Sequence, residues 1–275
     1  MGVSIRRVSE LWPQAMVLLG LALLAWPVLL GFWSSWRAQQ GISQVEASYD
    51  AMKDVAVQAL ADEATAYNTS LLDGTSRDGV APYAHQLVFG DSEMMAHISI
   101  PCLSLDLPIY HGTDEATLMT GVGHVEGSAL PVGTLGGRCV LAAHSGMPSA
   151  RMFDDIGSME IGDRFVIRTC GRTLVYAVVE SRVVLPEQTD ALLPREDEDL
   201  VTLVTCTPRG INTHRLLVTG ERCPSDVHEE LAPKPAVFFN PRTMPLLIGM
   251  GMVGFFVVAG YVRHICTSSA RRSCV

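Results

Sequence analysis

The chain has 275 residues, 20 basic and 29 acidic, a formal net charge of −9 and 48% hydrophobic residues. That acidic balance lacks the basic footprint that phosphate binding requires, so no nucleic-acid partner is expected. Two long uncharged runs argue against a wholly soluble chain and divide the sequence into zones.

The first run is residues 14–33, "QAMVLLGLALLAWPVLLGFW". A helix needs about 20 mostly apolar residues to cross the hydrocarbon layer, and this one has them. A cleaved secretory signal has an apolar region of roughly 7–15 residues before a small-x-small site. Here the run is longer, and Leu23 stands where a small residue is wanted before Ala25. The second run, residues 245–262, "PLLIGMGMVGFFVVAGYV", is long enough to span as well. The sequence therefore predicts two transmembrane helices.

Arg6 and Arg7 precede the first run, and Arg263, Arg271 and Arg272 follow the second. Basic flanks stay in the cytoplasm. The N-terminus (1–13) and the basic tail (263–275) are thus expected inside, with the region between the spans outside. That places the protein in the cell membrane, with the lipid bilayer as a partner. Setting aside those five arginines and Glu10 leaves 15 basic and 28 acidic residues, or −13, for the outer region.

Residues 34–72 follow as an extracellular helical stalk. No proline or glycine interrupts Ile42 to Leu72. Val45, Tyr49, Met52, Ala56 and Ala59 recur at the spacing of one apolar helix face. Residues 73–93 change to glycine, aspartate, serine and proline without a period, the composition of a loop or flap. From 94 to 222 the chain turns to short β-rich runs: "MAHISI", "DLPIYHG", "RCVLAAH", "DRFVIRTC", "TLVYAVVESRVVL", "LVTLVTC" and "HRLLVTG". Between them "DEATLMTGVG" and "SARMFDDIG" read as short helical turns. Strands at this density predict an all-β barrel of about eight strands with short helices. Residues 223–244 read as a linker to the second span.

Five cysteines lie between the spans: Cys102, Cys139, Cys170, Cys206 and Cys223. An odd number leaves at least one thiol unpaired. Without a Cys-x-x-Cys or His-x-x-x-His pattern, no metal site and no cofactor are expected. Cys206 closes the apolar run "LVTLVTC", directly before the loop residues "TPRGINT". That puts it at a barrel rim, where a side chain is both held and reachable. A free thiol has a pKa of about 8.5 and needs a base or a cation to act as a nucleophile. His144 ends another apolar strand before a Ser-Gly-Met-Pro loop, and His214 is nearer in sequence. Either could serve on these grounds. Alternation along a strand sends His214 and Arg215 to opposite faces, so only one of them can look into the site. A fixed cation there would stabilise the charge that builds on a carbonyl oxygen under attack.

"TLVTCTPRGINTHRLLVTG", residues 202–220, resembles the active-site strand and loop of the sortases, cysteine transpeptidases of Gram-positive cell surfaces. "LAAHSGMPSARMF" resembles their histidine motif, and "LPIYHG" and "GVGHVEGSALPVG" resemble the segments before it. The two apolar runs, the long segment before the barrel and the length of the cysteine motif are most like the pilin-polymerising class C group. The resemblance implies Cys206 as nucleophile, His144 as general acid and base, and Arg215 as oxyanion or substrate clamp, with His214 facing away. It implies a Leu-Pro-x-Thr-Gly-like sorting signal as substrate and a pilin lysine amine as acceptor. A cell-wall precursor amine is the alternative acceptor, and a barrel that has lost catalysis the third reading.

The family's lid often carries Asp-Pro-aromatic, with the aspartate on the active-site arginine and the ring over the thiol. This chain has Ala81, Pro82 and Tyr83. Alanine cannot pair with Arg215, so the lid is expected to rest on Tyr83 packing into the groove.

Overall fold

The computed structural model describes residues 54–75, 79–89, 93–147 and 151–224, with a few isolated positions in the terminal segments. Both predicted spans, the linker and the basic tail lie essentially outside the described residues. Among those described, no helix is long and apolar enough to cross a membrane. Residues 34–236 form one unit, and 1–33 with 237–275 group separately.

Eight strands make the barrel. They are β1 (Met94–Ile100), β2 (Leu105–His111), β3 (Val122–His124), β4 (Arg138–Ala142), β5 (Arg164–Thr169), β6 (Arg172–Val184), β7 (Leu200–Thr207) and β8 (His214–Arg222). The sheet closes in the order β1-β2-β3-β4-β7-β8-β6-β5. Closure pairs every strand on both sides and leaves no free edge. Helices α1 (Asp54–Asp73) and α2 (Glu115–Thr120) accompany it. Seven strands match the β-rich runs. The eighth, β3, is three residues long and sits in a stretch that reads as a turn. A strand that short shows no period, and only its pairing with β2 and β4 reveals it.

The barrel wall alternates. Cys139, Leu141, Val201, Leu203 and Val218 point inward and join one core with Phe165, Tyr176, Ile98 and Ile109. Phe165 and Tyr176 stack with centroids 5.6 Å apart. Gly220 on β8 lies against that stack. A Cβ there would come within 2.5 Å of the Phe165 ring, so the close approach requires glycine.

Helix α1 covers part of this core, by a different face from the one the spacing suggests. Ala56 and Ala59 are exposed, and the buried stripe is Ala61, Ala64, Tyr67 and Asn68 with Val57, Leu60 and Leu71 beside it. Val45, Tyr49 and Met52 of the expected face lie outside the described residues, and the step through Ala56 and Ala59 runs one position out of phase with the buried stripe. Its small alanines give that face little to bury, whereas Tyr67 and Leu71 carry most of the apolar area. Asn68 fixes the docking: it accepts from Leu130 N at 2.7 Å and donates to Leu130 O at 3.0 Å and Thr134 Oγ1 at 2.8 Å. Both ends of the buried amide are satisfied, as burial demands.

The described part of the flap segment, residues 79–89, is more structured than its composition suggests. Leu87 and Phe89 are buried in the core, and Tyr83–His85 form a 3-10 turn. Two large apolar side chains among glycines and aspartates carry no period, so the composition hides them.

Candidate active site

Three neighbouring strands build the site. β4 runs parallel to β7, with Ala142 opposite Val204. The pairing continues past the end of β4: Ala143 N donates to Val204 O at 3.1 Å, and Thr205 Oγ1 donates to Ala143 O at 2.8 Å. Ser145 Oγ then donates to Cys206 O at 2.7 Å. Two steps beyond Ala142, His144 comes level with Cys206. On the other side β8 runs antiparallel, with Cys206 opposite Arg215 and Thr207 opposite His214.

Side chains level with one another on adjacent strands leave the sheet on the same face. Ala143, Leu141 and Leu203 belong to the core. His144 and Cys206, one and three residues on from inward positions, therefore take the outer face, and Arg215 joins them. The order across the sheet is His144, Cys206, Arg215, with strands about 4.8 Å apart. A thiol flanked by an imidazole and a guanidinium has a proton carrier on one side and a fixed cation on the other. His214 leaves by the opposite face, its Nδ1 bonded to Thr213 Oγ1 at 2.9 Å.

Exposure fits access to these groups. Cys206 and Arg215 are half-buried, and the His144 side chain is 27% exposed. Arg215 Nη1 donates to Asn212 O and His214 O, each at 3.1 Å, which holds the guanidinium at its own turn. Among the described residues it makes no ion pair, so its other donors remain for a substrate oxygen. Val140, Ala142, Val204 and Leu217 continue the same outer face and give the row an apolar floor.

The other thiols are placed differently. The five described cysteines are free of disulfides. Burial pushes the Cys139 thiol well up, and burial also raises Cys170 and Cys102. A raised thiol is protonated and inert at neutral pH. Among the described residues no cluster of His, Cys, Asp and Glu could hold a metal ion. A cleft of about 550 Å³ lined by Asp199, Arg222, Arg172 and Cys223 lies at the opposite end of β7 and contains none of the three residues.

Tyr83 and Pro82 are the point of difference. Tyr83 does not lie over the thiol. Its hydroxyl sits 3.0 Å from His124 Nδ1, donates to His124 O at 3.0 Å, and accepts from Gly112 N at 3.0 Å. Its ring meets His111 edge-on at 5.2 Å and lies 6.4 Å from Tyr67. His124 is level with the inward-facing Leu141, so Tyr83 is bound on the core side of the wall. Pro82 starts the 3-10 turn and accepts from His85 N at 2.9 Å. The physical reason is hydrogen-bond satisfaction: a buried phenol needs partners, and His124 with Gly112 supplies them. Burial raises the Tyr83 hydroxyl to about 12, so it stays protonated.

His124 and His111 are structural. His124 Nε2 meets Ala129 O at 2.9 Å, and since a carbonyl only accepts, that nitrogen carries the proton. Nδ1 is then the unprotonated nitrogen, and it shares the single Tyr83 hydroxyl proton with His124 O. Burial lowers the His124 pKa to about 4 and keeps the ring neutral. His111 Nε2 bonds Gln86 O at 2.7 Å, tying down the same flap segment.

A family model described as a sortase domain matches residues 98–223. The crystal structure of sortase C-1 from Actinomyces oris is 42% identical, with a TM-score of 0.56, covering 62% of this chain and 98% of that one. Sortase C1 of Streptococcus agalactiae is 35% identical with a TM-score of 0.64, covering 68% of this chain and all of that one. The chain belongs to the sortase family. Sortase A of Bacillus anthracis is 29% identical over 129 residues, 47% of this chain and 60% of that relative. The chain thus spans about 60% of the length of the curated relatives it matches.

Several residues of this sortase's site escaped the sequence reading. Ser145 bonds the Cys206 carbonyl. Arg209 ties the loop after β7 to Asp154 (Nη2 to O 2.8 Å, to Oδ2 3.2 Å). Arg138, buried on β4, donates to Leu193 O at 2.8 Å and Thr202 Oγ1 at 2.7 Å, anchoring the loop before β7. Glu115 reaches His144 from α2. Each joins residues far apart in sequence, and only the topology brings them together.

Proposed function

We propose that this protein is a membrane-anchored cysteine transpeptidase acting on a Leu-Pro-x-Thr-Gly-like sorting signal. The observation that carries the reading is the row His144, Cys206, Arg215 on adjacent strands of one outer face. Cys206 Sγ, as thiolate, attacks the threonine carbonyl. The S–C bond forms as the C–N bond to glycine breaks. Arg215 faces the oxygen on which negative charge builds, where fixed charge lowers the barrier most. The imidazolium of His144 gives its proton to the departing amine. An incoming amine then attacks the thioester, returns a proton to His144 and frees the thiolate.

The acceptor we assign is a lysine amine of a pilin subunit, which makes the product an isopeptide bond and the protein a pilus polymerase. Structural likeness to proteins named sortase C supports this choice, as does a helix preceding the barrel. A cell-wall precursor amine is the second reading, because the acceptor is not encoded in the site. The two apolar runs support anchoring in the cell membrane with both termini inside and the barrel outside.

The test is incubation of the full chain in detergent micelles with a Leu-Pro-x-Thr-Gly peptide. A pilin fragment bearing its lysine competes with a cell-wall precursor amine. An isopeptide product in preference to precursor attachment supports pilin polymerisation, and the reverse preference selects the second reading.

A further inference from the structure

His144 has a second neighbour besides Cys206. Helix α2 opens at Asp114, whose Oδ1 accepts from Ala116 N at 3.0 Å and Thr117 N at 3.1 Å and whose Oδ2 accepts from Thr117 Oγ1 at 2.7 Å. That cap fixes the start of the helix, where Glu115 is the first residue. Glu115 Oε1 lies 3.6 Å from His144 Nε2. This nitrogen is shut off from solvent and makes no hydrogen bond. The Glu115 side chain is 80% exposed.

The other charged groups near His144 have partners of their own. Arg209 pairs with Asp154 at 3.2 Å and Asp155 at 3.6 Å, and Arg151 pairs with Asp155 at 3.1 Å. Arg215 lies beyond Cys206 on β8. Among the described residues, Glu115 is therefore the carboxylate paired with the imidazole.

We propose that Glu115 is a positioning residue for His144, holding Nε2 so that Nδ1 serves the reacting atoms. The proposal rests on the transpeptidase reading above. A carboxylate beside Nε2 favours the form in which that nitrogen keeps its proton, because an ionised carboxylate only accepts. Through the cycle Nε2 stays protonated. Nδ1 alone gives its proton to the departing amine and takes one from the incoming amine. No further reactant is needed. The carboxylate side of the contact is exposed to solvent and screened, so its effect is modest.

The experiment uses the full chain in detergent micelles, comparing wild type with Glu115→Ala and Glu115→Asp. Nitrogen-15 histidine NMR on a Cys206→Ala background reads which ring nitrogen of neutral His144 is protonated. The expected result is the Nε2–H form in wild type, loss of that preference in Glu115→Ala, and recovery in Glu115→Asp. Acylation by a Leu-Pro-x-Thr-Gly peptide should fall about three- to fivefold in kcat with KM unchanged in Glu115→Ala. An unchanged tautomer signature in Glu115→Ala overturns the proposal, as does a change confined to KM for the acceptor amine. A wild-type protein that shows the signature yet never forms an adduct instead removes the transpeptidase reading. The two failures are thus separable.

Discussion

His124 and His144 sit on opposite faces of the same stretch of barrel wall, and their surroundings divide their roles. His124 is fully buried, its ring nitrogens spent on Ala129 O and the Tyr83 hydroxyl. His144 is partly exposed, beside an exposed carboxylate and level with a thiol. A satisfied histidine stiffens structure, and an unsatisfied one at a rim can move protons. The same holds for the two cysteines on adjacent strands: burial raises the Cys139 thiol out of use, while Cys206 stands at the open face.

Substitutions on the outer row give the largest test of that division. Cys206→Ala should abolish the covalent adduct with a sorting-signal peptide. His144→Ala should slow acylation by about 10³-fold and Arg215→Ala by about 10²-fold, measured by single-turnover mass spectrometry. All three should leave the melting temperature within a few degrees, since the row is not packed in the core.

The inner face should answer in the opposite sense. Gly220→Ala forces a methyl against the Phe165 ring and should cost about 2–3 kcal/mol in denaturant unfolding, with little effect on adduct formation in the surviving folded fraction. Tyr83→Phe removes the hydroxyl on which His124 and Gly112 N depend and should cost about 1–2 kcal/mol. Because Tyr83 is bound on the core side, the alkylation rate of Cys206 should stay within about twofold of wild type. A marked rise would return Tyr83 to the groove.

Acid tests the same contrast through the buried histidines. Burial lowers both His97 and His124 to about 4. Each is neutral in the fold and protonated in the unfolded chain below about 6.5, so stability is lost as pH falls from about 6.5 to about 4. Each histidine contributes on the order of 3 kcal/mol to that loss. Asp199 opposes them: burial raises it to about 6, so its contribution strengthens as pH falls through the same window. The net expectation is a loss of about 3 kcal/mol between pH 7 and pH 4, read from urea midpoints.

Much of this was legible in the sequence, for physical reasons. β7 and β8 announce themselves because β-branched runs end at proline, glycine and asparagine loops. Strand alternation put Arg215 and His214 on opposite faces, and the family resemblance chose which of them looks into the site. The phase of α1 was not legible, because Ala56 and Ala59 fit the period but bury too little area to set the docked face. β3 was too short to show a period. Glu115 lies 29 positions from His144 and reaches it only because α2 leads into the strand beside β4. Tyr83 was misplaced because the motif fixed the residue type, while the partners of its hydroxyl decided where it packs.

The most direct test of the central claim is intact-mass analysis of the full chain after incubation with a Leu-Pro-x-Thr-Gly peptide, comparing wild type, His144→Ala and His214→Ala. The account predicts an acyl adduct on Cys206 in wild type and His214→Ala at similar rates and almost none in His144→Ala. An adduct that persists in His144→Ala and disappears in His214→Ala would contradict it.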